Sequence, residues 1–126
     1  MGDLGGHLAV FAGAGLGGML RYVVNRAALT YGASFPWWST LTVNVTGCFA
    51  MGVLAGWLAF RGEASQTARL FLTTGFLGGY TTFSAFSLDT ALLLERGEVT
   101  TAVSYVVASI ALSILGIFAG LAVFRG

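Results

Sequence analysis

Long apolar runs fill the chain, and short polar or charged stretches separate them. The first run is free of charge from Leu4 to Leu20 and, with Arg21 turned inward, continues as helix to about Leu29. Thr30 to Trp37 holds Tyr31-Gly32, Pro36 and the start of a tryptophan pair, which predicts a turn with an interfacial aromatic anchor. Trp38 to Phe60 is a second charge-free run, and Arg61 to Gln66 is a polar loop. Thr67 to about Leu94 is a third run. It ends in the charged turn Glu95-Arg96-Gly97-Glu98. Val99 to Phe124 is the fourth run, closed by Arg125. A spanning helix needs about 20 mostly apolar residues. The pattern therefore predicts an all-α integral membrane protein with four transmembrane helices, residues 1–126 forming a single transmembrane domain.

The third run reads badly as a plain helix. In Gly75-Phe-Leu-Gly-Gly-Tyr-Thr-Thr-Phe-Ser-Ala-Phe-Ser87, Gly78-Gly79 precedes Tyr80 and two threonines, and serines then mix with phenylalanines. Each Gly costs a helix roughly 1 kcal/mol relative to Ala, and hydroxyl side chains compete for backbone partners. A break is expected from Gly78 to Thr81. In hydrocarbon, non-helical backbone survives only when buried in protein or lining a cavity, so a break mid-span marks a site.

Composition agrees with the membrane assignment. The chain of 126 residues is 56% hydrophobic and 9% charged, with a mean hydropathy of +0.85. Soluble domains carry about 25% charged residues. A net charge of +1 leaves no basic stripe for phosphates, which excludes a nucleic-acid partner. Cys48 is the only cysteine, so neither an internal disulfide nor a Cys-rich metal site is expected. No basic stretch precedes the first run and no clear cleavage signal follows it, so it reads as a retained helix rather than a signal peptide.

With an even number of spans, Arg61, Arg69 and Arg125 share one side, against Arg26 and Arg96, plus Arg21 if it counts, on the other. That balance leaves insertion in both orientations open beside a single orientation set by a slight bias. Four helices enclose little, so a route across the membrane calls for a second copy. Gly13-Ala-Gly15-Leu-Gly17-Gly18, Gly47, Gly52, Gly56, Gly116 and Gly120 suit close helix packing, either within one subunit or between two.

The interior of the spans offers hydroxyls, an amide and aromatic edges. Arg21 is either a functional charge or a snorkelling one. Thr40 and Asn44 share a helix face, and Asn44 serves either packing or a pathway. Tyr105, Ser109 and Ser113, spaced by four, form one hydroxyl row. Phe83 and Phe86 lie just after the break, and the positive edges of their rings suit a small anion. The only carboxylate within the spans is Asp89, near an end, so the deep acid expected of a proton-coupled pump is absent. No His pairs with a serine and no His/Cys/Asp cluster could hold a catalytic metal, so no enzyme is expected. The composition favours passive transport of a small, strongly hydrogen-bonding anion.

Gly75–Ser87 resembles the G-F-x-G-G-x-T-T-F-S-T-F-S signature of the Fluc (CrcB) fluoride channels. So do Gly17-Gly-Met-Leu-Arg21-Tyr22, Thr40-Leu-Thr-Val-Asn44-Val-Thr-Gly47, the Glu95-Arg96-Gly97 turn and the Tyr105/Ser109/Ser113 row. The resemblance spans the chain and implies a dual-topology homodimer of antiparallel subunits in the bacterial inner membrane. Such a dimer exports fluoride passively and limits its toxicity. It places Phe83, Phe86, Asn44, Thr40, Tyr105, Ser109, Ser113 and Arg21 along the fluoride pathway. It also implies a structural sodium ion (Na+) at the dimer interface, held by backbone carbonyls of Gly78 and Thr81. Two departures stand out: Asp89 replaces a frequent glutamate, leaving its role open, and Ala85 replaces a threonine. The competing reading is a small multidrug-type proton-coupled antiporter, which needs an acid embedded in the first helix; that helix has none after Asp3.

Overall fold

A computed structural model describes residues 3–30, 37–61 and 65–123. Residues 31–36 of the expected Thr30–Trp37 turn, residues 62–64 of the Arg61–Gln66 loop and the terminal Arg125 lie outside the described residues. Every regular element within them is helical: α1 (Asp3–Thr30), α2 (Trp37–Arg61), α3 (Gln66–Leu70), a π-helix (Phe71–Leu77), α4 (Gly78–Tyr80), α5 (Phe83–Glu95) and α6 (Val99–Val123). Three of these helices are long and apolar enough to cross a membrane, over Leu4–Thr30, Trp38–Ala59 and Val99–Val123. Their outer faces carry exposed Leu, Val, Ile and Phe side chains, Phe11 and Phe118 among them. In hydrocarbon such a surface is solvated, so little apolar area need be folded inward.

The third apolar run is divided. Ser65 caps α3 by accepting from the Ala68 N–H at 3.1 Å. The backbone then widens into the π-helix before α4, which the sequence does not announce. Widening inserts one extra residue without a compositional mark. The glycine pair expected to break the helix is itself helical. The extended residues come later, at Thr81 (φ −85°, ψ 158°) and Thr82 (φ −153°, ψ 121°). Gly79 serves a different purpose, close approach. A Cβ added at Gly79 would strike the backbone of Ala14, and one added at Gly17 would strike the Phe76 carbonyl.

These contacts let α1 lie against the π-helix and α4, backbone on backbone. The same device joins α2 to α6, where a Cβ on Gly52 would meet the Ile117 carbonyl and one on Gly120 the Phe49 carbonyl. Most of the glycines singled out in the sequence are therefore used inside one subunit, whereas Gly15 and Gly18 face open space. A side-chain hydrogen bond from Ser39 to Asn25 Oδ1 ties α2 to α1, and Ser39 is fully buried.

The α5–α6 turn has a full hydrogen-bonded cap. Gly97 takes φ +80°, the Gly97 N–H donates to Leu94 O at 3.0 Å, and the Glu98 N–H donates to Leu93 O at 2.9 Å. This pairing satisfies the last carbonyls of α5 with a left-handed residue that only glycine adopts cheaply. The turn brings Leu93, Ala102 and Tyr105 into one buried cluster, with Leu41 and Phe86 packed on it. That cluster fixes the register of α5 on α6 and so places the site.

Candidate functional site

Thr82 is where the site is built. Its N–H donates to Asn44 Oδ1 at 2.8 Å, and its carbonyl accepts from Asn44 Nδ2 at 3.0 Å. The Asn44 amide thus pairs with both main-chain groups of one residue as another strand would, and satisfies backbone that the helix has released. Thr82 also starts α5. Its Oγ1 accepts from the Ala85 N–H at 3.1 Å, an N-cap. Gly47 lacks a side chain at the point where Thr81 and Tyr80 rest on α2.

Beside this clamp lies a cavity of about 350 Å³. Asn44 and Cys48 of α2 form one wall, with Thr81 and Thr82 at its side. Phe83 and Phe86 of α5 face Ser109, Ile110, Ser113 and Ile114 of α6. The aromatic rings form a ladder leading inward. Phe83 is 77% exposed and sits 5.5 Å from Phe86 between ring centroids, and Phe86 sits 5.2 Å from the buried Tyr105. Both pairs are tilted, at 45° and 44°, so ring edges as well as faces are presented.

The hydroxyls of α6 have different fates. Tyr105 Oη donates to Asp89 Oδ2 at 3.0 Å, and the Thr40 hydroxyl also lies within hydrogen-bonding reach of it. Ser109 is 6% exposed, and its Oγ has no hydrogen-bond partner in the structure. A serine so deeply buried ordinarily finds one, and an orphaned hydroxyl costs about 1–3 kcal/mol. Ser109 is one of the residues that line the cavity, although its Oγ is itself covered. Ser113, one turn further along α6, lines it too.

The geometry thus gathers Asn44, Phe83, Phe86, Ser109 and Ser113 around one space, with Thr40 and Tyr105 immediately behind. Arg21 is elsewhere. Its Nε donates to the Gly79 carbonyl at 3.2 Å, and it does not line the cavity. Gly78 and Thr81 have a shared peculiarity. A helical carbonyl accepts from the N–H four residues on. For Gly78 that donor is Thr82, which is turned to Asn44; for Thr81 it is Ala85, which is turned to the Thr82 hydroxyl. Among the described residues there is no cluster of three His, Cys, Asp or Glu side chains.

The profile described as "CrcB-like protein, Camphor Resistance (CrcB)" matches residues 8–121. The chain belongs to the CrcB family. Similar CrcB relatives include the "Fluoride-specific ion channel FluC 2" of Nitrobacter hamburgensis, 55% identical over 120 residues, which cover 94% of this chain and 96% of the relative. The "Fluoride-specific ion channel FluC" of Rhodopseudomonas palustris is 55% identical over the same shares. That of Methylobacterium nodulans is 56% identical over 118 residues, 94% of each chain. Within this CrcB chain, sequence reasoning missed Thr82 as the partner of Asn44 and Cys48 as a wall of the cavity. A threonine three residues before Ala85 and just ahead of an apolar run is an N-cap signal, which would have placed the start of α5. Nothing in the sequence pairs residues 38 positions apart.

Proposed function

We propose that this CrcB chain is a fluoride-selective channel that lets fluoride leave the cytoplasm down its electrochemical gradient. It is a multi-pass protein of a bacterial inner membrane, in keeping with its relatives and its three apolar spanning helices. The observation that carries the fluoride reading is the Ser109 hydroxyl, buried without a partner against a cavity walled by Phe83 and Phe86. Hydroxyl protons and ring edges offer a small anion hydrogen bonds and weak positive charge without a fixed cation to trap it. An anion pathway along Ser113, Ser109, Phe83 and Phe86 follows, with Thr40 and Tyr105 at its inner end. In this reading Asn44 acts chiefly by holding Thr82, and Arg21 by holding Gly79. A proton-coupled antiporter finds no support. The only carboxylate of α1 is Asp3, at the start of the helix.

The divided segment, α3 through α5, makes the fourth crossing, and two copies associate as antiparallel subunits. Several observations support this assembly. Phe83, Ser84 and Ser87 are exposed on a segment that lies at membrane depth, where hydroxyls need cover. A 350 Å³ cavity is far larger than one desolvated halide, so a single subunit leaves it unfilled. The arginines are nearly balanced between the two sides.

The carbonyls of Gly78 and Thr81 suit a structural sodium ion, because a hard cation prefers oxygen and both have been released by their helical donors. When bound, the cation supplies a positive charge that joins carbonyls of the two copies. The deciding experiment is efflux from liposomes holding purified protein, with fluoride and chloride followed by electrode. Fluoride efflux well above that of chloride is expected. Absence of fluoride flux, or equal chloride flux, overturns the proposal.

A further inference from the structure

Asp89 has no role in the pathway described so far, yet it meets the innermost member of the hydroxyl row. Tyr105 is 1% exposed, and its only proton points at Asp89 Oδ2, 3.0 Å away. A phenol has one O–H and a carboxylate can only accept. Toward Ser109, therefore, Tyr105 offers oxygen lone pairs and no donor. The contrast with Ser109, whose proton has no partner, is sharp. An anion that moves inward past Ser113 and Ser109 reaches a hydroxyl already engaged by a carboxylate.

We propose that Asp89 is a specificity-determining residue: it holds the Tyr105 hydroxyl in a hydrogen bond that only an anion of comparable acceptor strength can take over. The inference rests on the fluoride-channel reading. No covalent bond changes. The phenol keeps its proton, and its O–H turns from Asp89 to the anion and back. Fluoride concentrates its charge on a small ion and approaches an O–H closely; chloride carries the same charge at a longer distance, where attraction is weaker. Hydrogen bonds to an ionised acceptor are roughly twice as strong as neutral ones. Asp89 thus sets a threshold that fluoride clears and chloride does not. Phe86, stacked 5.2 Å from the Tyr105 ring, limits ring movement, so selection falls on the hydroxyl rather than on displacement of the side chain.

The test compares fluoride and chloride efflux for wild-type protein, Asp89→Asn, Asp89→Glu and Tyr105→Phe in identical liposomes. Asparagine keeps an acceptor oxygen of similar shape but lacks the charge. The chloride-to-fluoride flux ratio is expected to rise about tenfold in Asp89→Asn, the factor set by 1.4 kcal/mol. Asp89→Glu restores the carboxylate and should keep the wild-type ratio. Tyr105→Phe removes the contested proton and should raise the ratio as well. A merely structural role would change total flux but not the ratio. A folded Asp89→Asn protein with an unchanged ratio, or one that carries neither anion, overturns the proposal. A ratio raised equally by glutamate also overturns it. If Asp89→Asn elutes as aggregate in size-exclusion chromatography, Tyr105→Phe decides alone, and an unchanged ratio there is fatal. Wild-type protein that passes no fluoride overturns the channel reading instead, before the variants are compared.

Discussion

Asn44 and Ser109 face the same cavity but are bound to it in opposite ways, and single substitutions should separate them. Asn44 is committed to both polar groups of Thr82. Asn44→Ala leaves a backbone N–H and C=O unpaired at membrane depth, at about 1–3 kcal/mol each. It should lower the midpoint of thermal unfolding in detergent and abolish fluoride efflux together. Ser109 has no partner to lose. Ser109→Ala should not lower stability and should raise it by up to about 1–3 kcal/mol, since it removes the orphaned hydroxyl. Its fluoride flux should still fall by about tenfold, because a hydrogen bond to an ion is worth roughly 1.5–3 kcal/mol. Equal flux with alanine would remove the central observation behind the proposed function. Phe83→Ile and Phe86→Ile should also differ. Phe83 is largely exposed, so its loss is expected to impair flux at unchanged stability, whereas Phe86 also supports Tyr105 and its loss should reduce both. Flux and unfolding midpoint measured side by side check this ordering.

At the scale of elements, what could be read from the sequence tracks what is local. The long helices follow from apolar runs and end close to where polarity returns. The α5–α6 turn was legible because Gly97 sits among charges at the end of an apolar run, and its φ of +80° gives that glycine its reason. Gly97→Ala should cost about 1–2 kcal/mol, the penalty of a left-handed residue with a Cβ. A chemical unfolding midpoint lowered by that amount would agree, and no change would contradict the strain argument. The interruption was legible as to region but displaced by three residues. Low helix propensity pointed to Gly78-Gly79, yet both are helical, and close contact with Ala14 makes Gly79 useful there. Propensity is a weak prior against such packing. The π-helix was not legible at all; it contains Gly75, which packs closely against Gly13 on a distant segment that no local pattern pairs with it. The candidate site was half legible. Residue types named an anion, but only the fold shows that Tyr105 already has an acceptor in Asp89 while Ser109 has none.

For the whole molecule, the proposed inverted assembly makes a topological prediction. With the native Cys48 replaced by alanine, a cysteine introduced at the exposed Glu98 should react with an impermeant maleimide from both sides of intact membranes, each side labelling about half of the protein. Labelling from one side only would contradict insertion in two orientations. Depletion of sodium should shift the purified protein toward monomer in size-exclusion chromatography, because carbonyls released in each copy lose the cation that would join them. An unchanged elution volume would count against the cation.

One peptide plane ties these scales together. The Thr82 N–H and the Thr81 carbonyl belong to the same unit, and no peptide bond among the described residues is cis. In a planar trans peptide these two groups point in opposite directions. By gripping the N–H, Asn44 also aims the carbonyl, away from itself and from the wall it lines. The two faces of the interruption are therefore the two ends of a rigid lever a few ångströms long. A ligand that tilted one end would move the other, which would couple binding on the two sides.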